Sequence, residues 1–325
     1  MKTNFEFIPF TQKSLSGITS IRSGEVKLGE KLQTLENGIT DTAKYFILGI
    51  SEDIGPQSNG GFSGSTGAFK AFVKRFANIQ SNQFLNGENT IILGEIISNT
   101  IFQNLETGRM LIEELDLFVE SIIAPLVQQG LIPIVIGGGH NNAFPIIKTI
   151  SKSIAEPISV INFDPHADFR PMEGRHSGNP FSYAHNHGFL KKYAILGLHQ
   201  SYNSQFILDQ LTDNSFLFSF FDDYLSKKAD FETDLTAFYE HISSDKFGIE
   251  LDLDSIAYMP SSAFSPSGMS VEEARSYVLQ MAKSKNVQYL HLPEAAPKNE
   301  IEEVIVGKTL AYLVSDFIKA NQAAQ

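Results

Sequence analysis

Short β-branched apolar runs recur along this chain, separated by stretches of helical spacing, and three of the runs lead directly into His and Asp clusters. The runs are Tyr45 to Ile50, Thr90 to Leu93, Ile132 to Ile136, Ser159 to Phe163, Tyr193 to Leu196, Phe247 to Leu253 and Val287 to Leu292. Between the second and third, Leu111, Ile112, Leu115, Phe118, Ile122 and Leu126 follow a helical period that Gly130 closes. A last helix carries Val306, Leu310, Leu313, Val314 and Phe317 on one face. Such alternation predicts βαβ units around a mostly parallel sheet covered on both faces. The 325 residues contain no Pro/Gly/Ser linker, low-complexity tract or solenoid repeat, so the expectation is a single domain over residues 1–325.

Charge and composition narrow the partners. With 25 basic and 37 acidic side chains the net charge is −12, a poor match for nucleic acid, whose binding rests on neutralising phosphates. No stretch approaches the roughly 20 apolar residues of a membrane helix, and the first residues lack the apolar core of a signal peptide. The expectation is a cytoplasmic enzyme or binding protein with a small-molecule ligand. The chain has no cysteine, which removes disulfides, thiolate nucleophiles and sulfur-ligated zinc.

Ligands in α/β sheets bind at the carboxyl ends of strands, and the unusual residues lie there. Ile132 to Ile136 leads into Gly137-Gly138-Gly139-His140, Ser159 to Phe163 into Asp164-Pro165-His166-Ala167-Asp168, and Phe247 to Leu251 into Asp252-Leu253-Asp254. In an extended segment, side chains two residues apart project to the same side. Asp164, His166 and Asp168 are thus expected to converge on one point, and Asp252 and Asp254 on another. With His140 the set comprises four carboxylates and two imidazoles. Two ions about 3.5–4 Å apart would balance that charge, whereas one would be overcompensated. Imidazole and carboxylate donors without sulfur suit Mn2+, with Zn2+, Fe2+, Co2+ or Ni2+ also admissible. A lone Asp-x-His-x-Asp is more often a solvated loop, but three ionisable clusters at strand ends are costly unless paired or metallated.

In order and spacing these motifs resemble the ureohydrolase family of arginases, agmatinases and formimidoylglutamases. The resemblance covers most of the chain, and also rests on Glu294-Ala295-Ala296-Pro297 and on Asn59-Gly60-Gly61, which looks like the family's glycine-rich substrate loop. It implies a three-layer α/β/α fold, a mostly parallel central sheet, two Mn2+ per chain and a homo-oligomer, trimer or hexamer. By position, His140, Asp164, Asp168 and Asp252 would hold one ion, and His166, Asp164, Asp252 and Asp254 the other. The implied reaction is hydrolysis of a linear amidine or guanidine C–N bond by a metal-bridging hydroxide, which Asp254 or a neighbour would orient. Glu294 matches a carboxylate that pairs with the substrate's cationic group.

Arg170 bears on the substrate. It resembles the Asp-x-His-x-Asp-x-Arg form of formimidoylglutamases, where arginases carry Asn. An Arg fork can pair bidentately with a carboxylate, which favours a dicarboxylate such as N-formimino-L-glutamate, cleaved to glutamate and formamide in histidine degradation. The other reading is that Arg170 only partners a neighbouring acidic ligand. Ser177-Gly178-Asn179-Pro180-Phe181 resembles a second substrate loop, so Ser177 and Asn179 join Asn59 and Glu294 as expected substrate contacts. Phe181 stands where arginases have a proton-shuttling His, and Ser177 where agmatinases have theirs. His176, His185 and His187 are then the candidates for protonating the leaving amine, His176 preferred because it adjoins the matched segment. Asn141-Asn142 departs from the Glu or Ser that commonly follows His140. Cleavage of arginine, agmatine or guanidinobutyrate to urea is an alternative, as is a non-catalytic family member.

Overall fold

A computed structural model of the chain describes residues 3–324. Nine strands, β1 (Phe5–Pro9), β2 (Tyr45–Ser51), β3 (Thr90–Ser98), β4 (Ile132–Ile136), β5 (Ile158–Phe163), β6 (Leu190–Leu198), β7 (Leu217–Phe220), β8 (Phe247–Leu251) and β9 (Val287–Leu292), form one sheet. Their order is β1-β3-β2-β4-β9-β8-β5-β6-β7, and only the β1–β3 pair is antiparallel. All seven expected runs are strands, the one from Phe247 stopping at Leu251. The two strands that the apolar pattern did not reveal, β1 and β7, are the edges. Their residues are mostly only partly buried, so they need no continuous apolar run.

Alternate strand residues feed two cores. Ile47, Ile134, Ile136, Ile161 and Phe163 pack with the helices Ala68–Phe76, Phe231–Ile242, Val271–Met281 and Glu300–Ala324. Phe46, Leu48, Ile50, Val135 and Val160 point the other way, towards Leu105–Val127, Ala143–Ile154, Pro180–Asn186 and Gln205–Asp213. The result is the three-layer α/β/α arrangement. The helix expected from Leu111 begins earlier, at Leu105, because Asn104 Oδ1 accepts the Thr107 N–H at 3.0 Å and caps it. No described helix is long and apolar enough to cross a membrane.

The sheet order makes β4, β9, β8 and β5 neighbours, and these are the strands that carry the motifs. Phe163 of β5 pairs with Leu251 of β8, so Asp164 and Asp252 leave the sheet side by side. Ile136 of β4 pairs with Leu292 of β9, which brings the glycines before His140 against Glu294; the Glu294 N–H donates to Gly138 O at 2.8 Å.

The loop between Asp168 and Pro180 is tied to the helical layer by a buried ion pair. Arg175 Nε and Nη2 donate to Asp116 of the helix Leu105–Val127 at 2.8 and 3.3 Å, Nη1 to Asn179 Oδ1 at 2.9 Å, and Nη2 to Asn141 O at 2.7 Å. Its guanidinium also covers the Phe144 and Tyr183 rings at 4.7 and 4.9 Å. Burial pushes the Asp116 carboxyl up to about 6 even though Arg175 pulls it down. Arg175→Met would leave that carboxylate buried and unpaired, at an expected cost of about 3–5 kcal/mol in chemical denaturation at neutral pH. Without the guanidinium the folded-state pKa of Asp116 rises further. A raised pKa favours the folded state at low pH, so the variant's deficit should shrink as pH falls towards about 4. A deficit independent of pH would count against Asp116 as its source.

Candidate metal centre and active site

The two aspartate motifs are built on the same local turn. Asp164 Oδ1 accepts the His166 N–H at 2.7 Å, and Asp252 Oδ1 accepts the Asp254 N–H at 2.8 Å. These side-chain turns start the chain away from the sheet as each strand ends. Asp168 follows with φ +45, a left-handed backbone. The segments are therefore not extended, and the expected convergence within each motif is corrected. Donor atoms group across motifs: His140, Asp164, Asp168 and Asp252 around one point, Asp164, His166 and Asp254 around another. Asp252 and Asp254 fall in different groups. Asp164 belongs to both, whereas Asp252 belongs to the first alone.

His140 Nδ1 lies 3.2, 2.9 and 3.1 Å from oxygens of Asp164, Asp168 and Asp252. It is buried and hydrogen bonds none of them. His166 Nδ1 stands 3.6 Å from Asp164 Oδ1 and 3.2 Å from Asp254 Oδ2, and Asp254 Oδ1 is buried with no hydrogen-bond partner. An imidazole nitrogen and several carboxylate oxygens aimed at one point, with polar atoms otherwise unpartnered, fit a divalent cation. The electrostatics agree. Burial, then repulsion by Asp254 and Asp164, pushes Asp252 well above the usual carboxylate range; burial takes Asp254 to about 6 against the pull of His166. Burial alone would lower both imidazoles, yet the carboxylates facing them hold His140 and His166 well above the ordinary value.

Further residues hold this set, and the motifs alone did not reveal them. Glu250 of β8 pairs in register with His291 of β9, and its Oε2 meets His291 Nδ1 at 2.6 Å while Oε1 accepts the Tyr289 hydroxyl at 2.7 Å. His140 Nε2 lies 3.4 Å from the same Oε2. Glu52, buried after β2, accepts four N–H groups: Gly55 and Gly139 from the backbone, both at 2.9 Å, and the Asn141 and Asn142 side chains at 3.2 and 3.0 Å. That explains Asn141-Asn142, which supply donors to this carboxylate. Gly138 has φ +70, and a Cβ there would come 2.5 Å from Asn142 Nδ2, so glycine is required. Asn203 clamps the Asp-Pro-His-Ala-Asp loop by accepting the Ala167 N–H and donating to Pro165 O, both at 2.9 Å. Tyr202 stacks on the His166 ring at 5.2 Å. The sequence did carry one signal: an ionisable residue inside an apolar strand, as with Glu250 and His291, is unusual enough to mark a role.

A cavity of about 440 Å3 opens over the cluster, lined by His166, Asp168, Asp252, Asp254, Glu294, Asn59, Ser177, Arg170 and the wall around Tyr202. Glu294 Oε1 accepts the His140 N–H at 2.7 Å and Oε2 the Ser262 hydroxyl. Burial, with Asp252 nearby, pushes its carboxyl up to about 8. Asn59 Nδ2 reaches Ser177 Oγ at 3.4 Å.

His140 and Asp164 lie beneath the cavity lining, and four of the residues expected to contact or protonate substrate do not line it either. His176 is buried, its Nδ1 accepting the Gly178 N–H at 3.1 Å and its Nε2 3.2 Å from Glu173. Asn179 is buried too; Oδ1 takes Arg175 and the His176 N–H, and Nδ2 goes to Gly174 O at 2.8 Å. His185 packs between Phe169 and Phe216, and His187 bonds Tyr183 O at 2.8 Å. Phe181 is a core ring packed edge-on against His140 at 5.2 Å.

If cations complete the two groups, MnCl2 added to metal-stripped protein should raise Tm in a saturable way, by about 2.7 kcal/mol of stability at a hundredfold excess over Kd. Glu250→Gln should weaken Mn2+ binding about 10- to 100-fold through the loss of support for His140. Calorimetric titration checks both, and an unchanged Tm with Mn2+ would count against a metal site.

Residues 43–318 match the Arginase family. A formimidoylglutamase of Chromobacterium violaceum is 27% identical over 277 residues, 82% of this chain and 84% of that protein. In fold, the chain is similar to a Bacillus subtilis formimidoylglutamase, with TM-score 0.77, 17% identity and 93% of each chain covered. It is likewise similar to a Trypanosoma cruzi formiminoglutamase crystallised with Mn2+, with TM-score 0.72, 21% identity and coverage of 90% and 98%. With its motifs at the ends of β4, β5, β8 and β9 and a match over most of its length, this chain belongs to the arginase family and is a hydrolase of carbon–nitrogen bonds.

Proposed function

We propose that the chain is a formimidoylglutamase, hydrolysing N-formimino-L-glutamate to L-glutamate and formamide, with two Mn2+ ions held by His140, Asp164, His166, Asp168, Asp252 and Asp254. The observation that carries this reading is Arg170, a half-exposed guanidinium lining the same cavity as Asp254 and Glu294. It gives the cavity wall a cation, suited to a substrate carboxylate. The formimidoylglutamase relative supports the substrate, and the Mn2+ in the Trypanosoma cruzi structure supports the metal.

Divalent ions bound at the two groups would lower the pKa of a water and make it nucleophilic near neutral pH. The chain's own groups supply the rest. Glu294 would face the cationic formimino group, whose charge would draw the raised carboxyl back to its ionised form; each of its oxygens already accepts one hydrogen bond and keeps a lone pair for another. Arg170 would hold one substrate carboxylate, while Asn59 and Ser177, close beside it, would offer hydrogen bonds. Asp254 would accept a proton from the attacking water as the new C–O bond forms at the formimino carbon. Among histidines, only His166 lines the cavity, so the same Asp254 would return that proton to the glutamate nitrogen as the C–N bond breaks. Formamide and glutamate then account for every atom of substrate and water.

The test is an assay of Mn2+-loaded protein against formimino and guanidino compounds, scoring formamide, ammonia and urea. Arg170→Leu should cost about 1.5–3 kcal/mol in kcat/KM on formiminoglutamate, roughly tenfold to more than a hundredfold, with metal content retained. Arg170→Lys should recover part of this, because an ammonium keeps the charge but not the fork. Urea from arginine or agmatine as the best product, with Arg170→Leu silent, would overturn the assignment.

A further inference from the structure

The geometry points to Glu173 as a positioning residue, which holds Arg170 in the pose that meets a substrate carboxylate; this rests on the reading of Arg170 above. Glu173 Oε1 accepts Arg170 Nη2 at 3.1 Å and Arg109 Nη2 at 3.4 Å, and it lies 3.2 Å from His176 Nε2. Three donors, two from the same loop and one from the helix Leu105–Val127, thus converge on one carboxylate oxygen. Arg109, on the helix Leu105–Val127, grips Glu173 a second time through Nη1 to its backbone carbonyl at 2.6 Å. The next residue, Gly174, has φ +102, and a Cβ there would come 2.8 Å from Arg109 Cδ, so the turn and the arginine fit only around glycine. His176 Nδ1 accepts the Gly178 N–H, which leaves the ring proton on Nε2, directed at Glu173. The histidine expected to act on the leaving group instead fixes this carboxylate.

Two readings of such a hub differ in sign. Glu173 could compete with the substrate by occupying Arg170, or it could present Arg170 to the substrate. The contacts favour presentation. Glu173 takes one guanidinium nitrogen, Nη2, and no hydrogen bond from Arg170 Nε or Nη1 goes to it. Its other holders, Arg109 and His176, do not line the cavity, so the hub is anchored behind the site. The Arg170 stem is confined as well, since a Cβ at Gly178 would come 2.9 Å from Arg170 Cδ and 2.7 Å from Asn59 Nδ2. A half-exposed arginine without this tether would sample many rotamers and lose that freedom only on binding.

Steady-state kinetics on formiminoglutamate with Glu173→Gln, Glu173→Asp, Arg170→Leu and the Arg170→Leu/Glu173→Gln pair test this. Glu173→Gln should raise KM about tenfold with kcat within about twofold. Glu173→Asp, which keeps the charge, should recover part of the loss. Adding Glu173→Gln to Arg170→Leu should have no further effect on KM, because a residue that acts through Arg170 has nothing left to act on. Metal content and Tm of each variant report folding separately. A KM that falls in Glu173→Gln makes the residue a competitor and overturns the proposal, as does an unchanged KM, or a KM rise that persists in the Arg170→Leu background. If Arg170→Leu itself leaves KM unchanged, the substrate reading fails and this one with it. If Arg170→Leu raises KM but Glu173→Gln does not, only the role of Glu173 is lost.

Discussion

Asp164 and Asp252 follow strand residues that pair with each other, so their carboxylates leave the sheet side by side where almost no water reaches them. Asp168 and Asp254 then turn back into the same space. Burial, with repulsion between like charges in a low dielectric, pushes Asp168, Asp252 and Asp254 towards protonation, whereas the His140 and His166 imidazoles keep Asp164 ionised, below the usual carboxylate range. A folded chain tolerates this arrangement where cations balance it. The cluster is thus a source of electrostatic strain and, with divalent ions, a source of both catalysis and stability.

The layers beneath the cluster follow from that requirement. His140 has to be held with one nitrogen towards the carboxylates, and it sits between Phe181 on its edge and Glu250 near its other nitrogen. The glycine turn before it cannot be stabilised by side chains of its own. Glu52 accepts the Gly139 N–H instead, and Asn141 and Asn142 complete that carboxylate's shell. Arg175 locks the loop between Asp168 and Pro180 onto the helix Leu105–Val127 and onto Asn141 O, so this loop and the one carrying His140 share one anchor. None of these side chains needs to touch substrate to matter, since ligands misplaced by about an ångström lose much of their effect.

On the substrate side the division of labour differs from the one suggested by chain adjacency. The loop containing Ser177, Gly178 and Asn179 is at the site, but its members serve different ends. Ser177 lines the cavity, Asn179 braces Arg175, and His176 braces Glu173. Neighbours in sequence point in different directions in a loop without a repeating period, so adjacency to a matched motif says little about which side chain faces the ligand.

The strands β2–β6, β8 and β9 were legible because parallel strands buried on both faces must be continuously apolar, and the six metal-ligand candidates were legible because ionisable residues directly after such strands are costly unless they serve a site. The edges β1 and β7 were not, since strands that are only partly buried carry no such constraint. The sequence by itself determined the fold class, the family and which ionisable residues cluster, all of which depend on local pattern and order along the chain. Only the tertiary structure decided how these residues sort into two groups, that Glu52 and Glu250 support them, and that His176 turns away from the cavity. Those outcomes depend on strand register and on contacts between residues far apart in sequence, such as Glu52 with Gly139 and Arg109 with Glu173, and no local period encodes a distance of that kind.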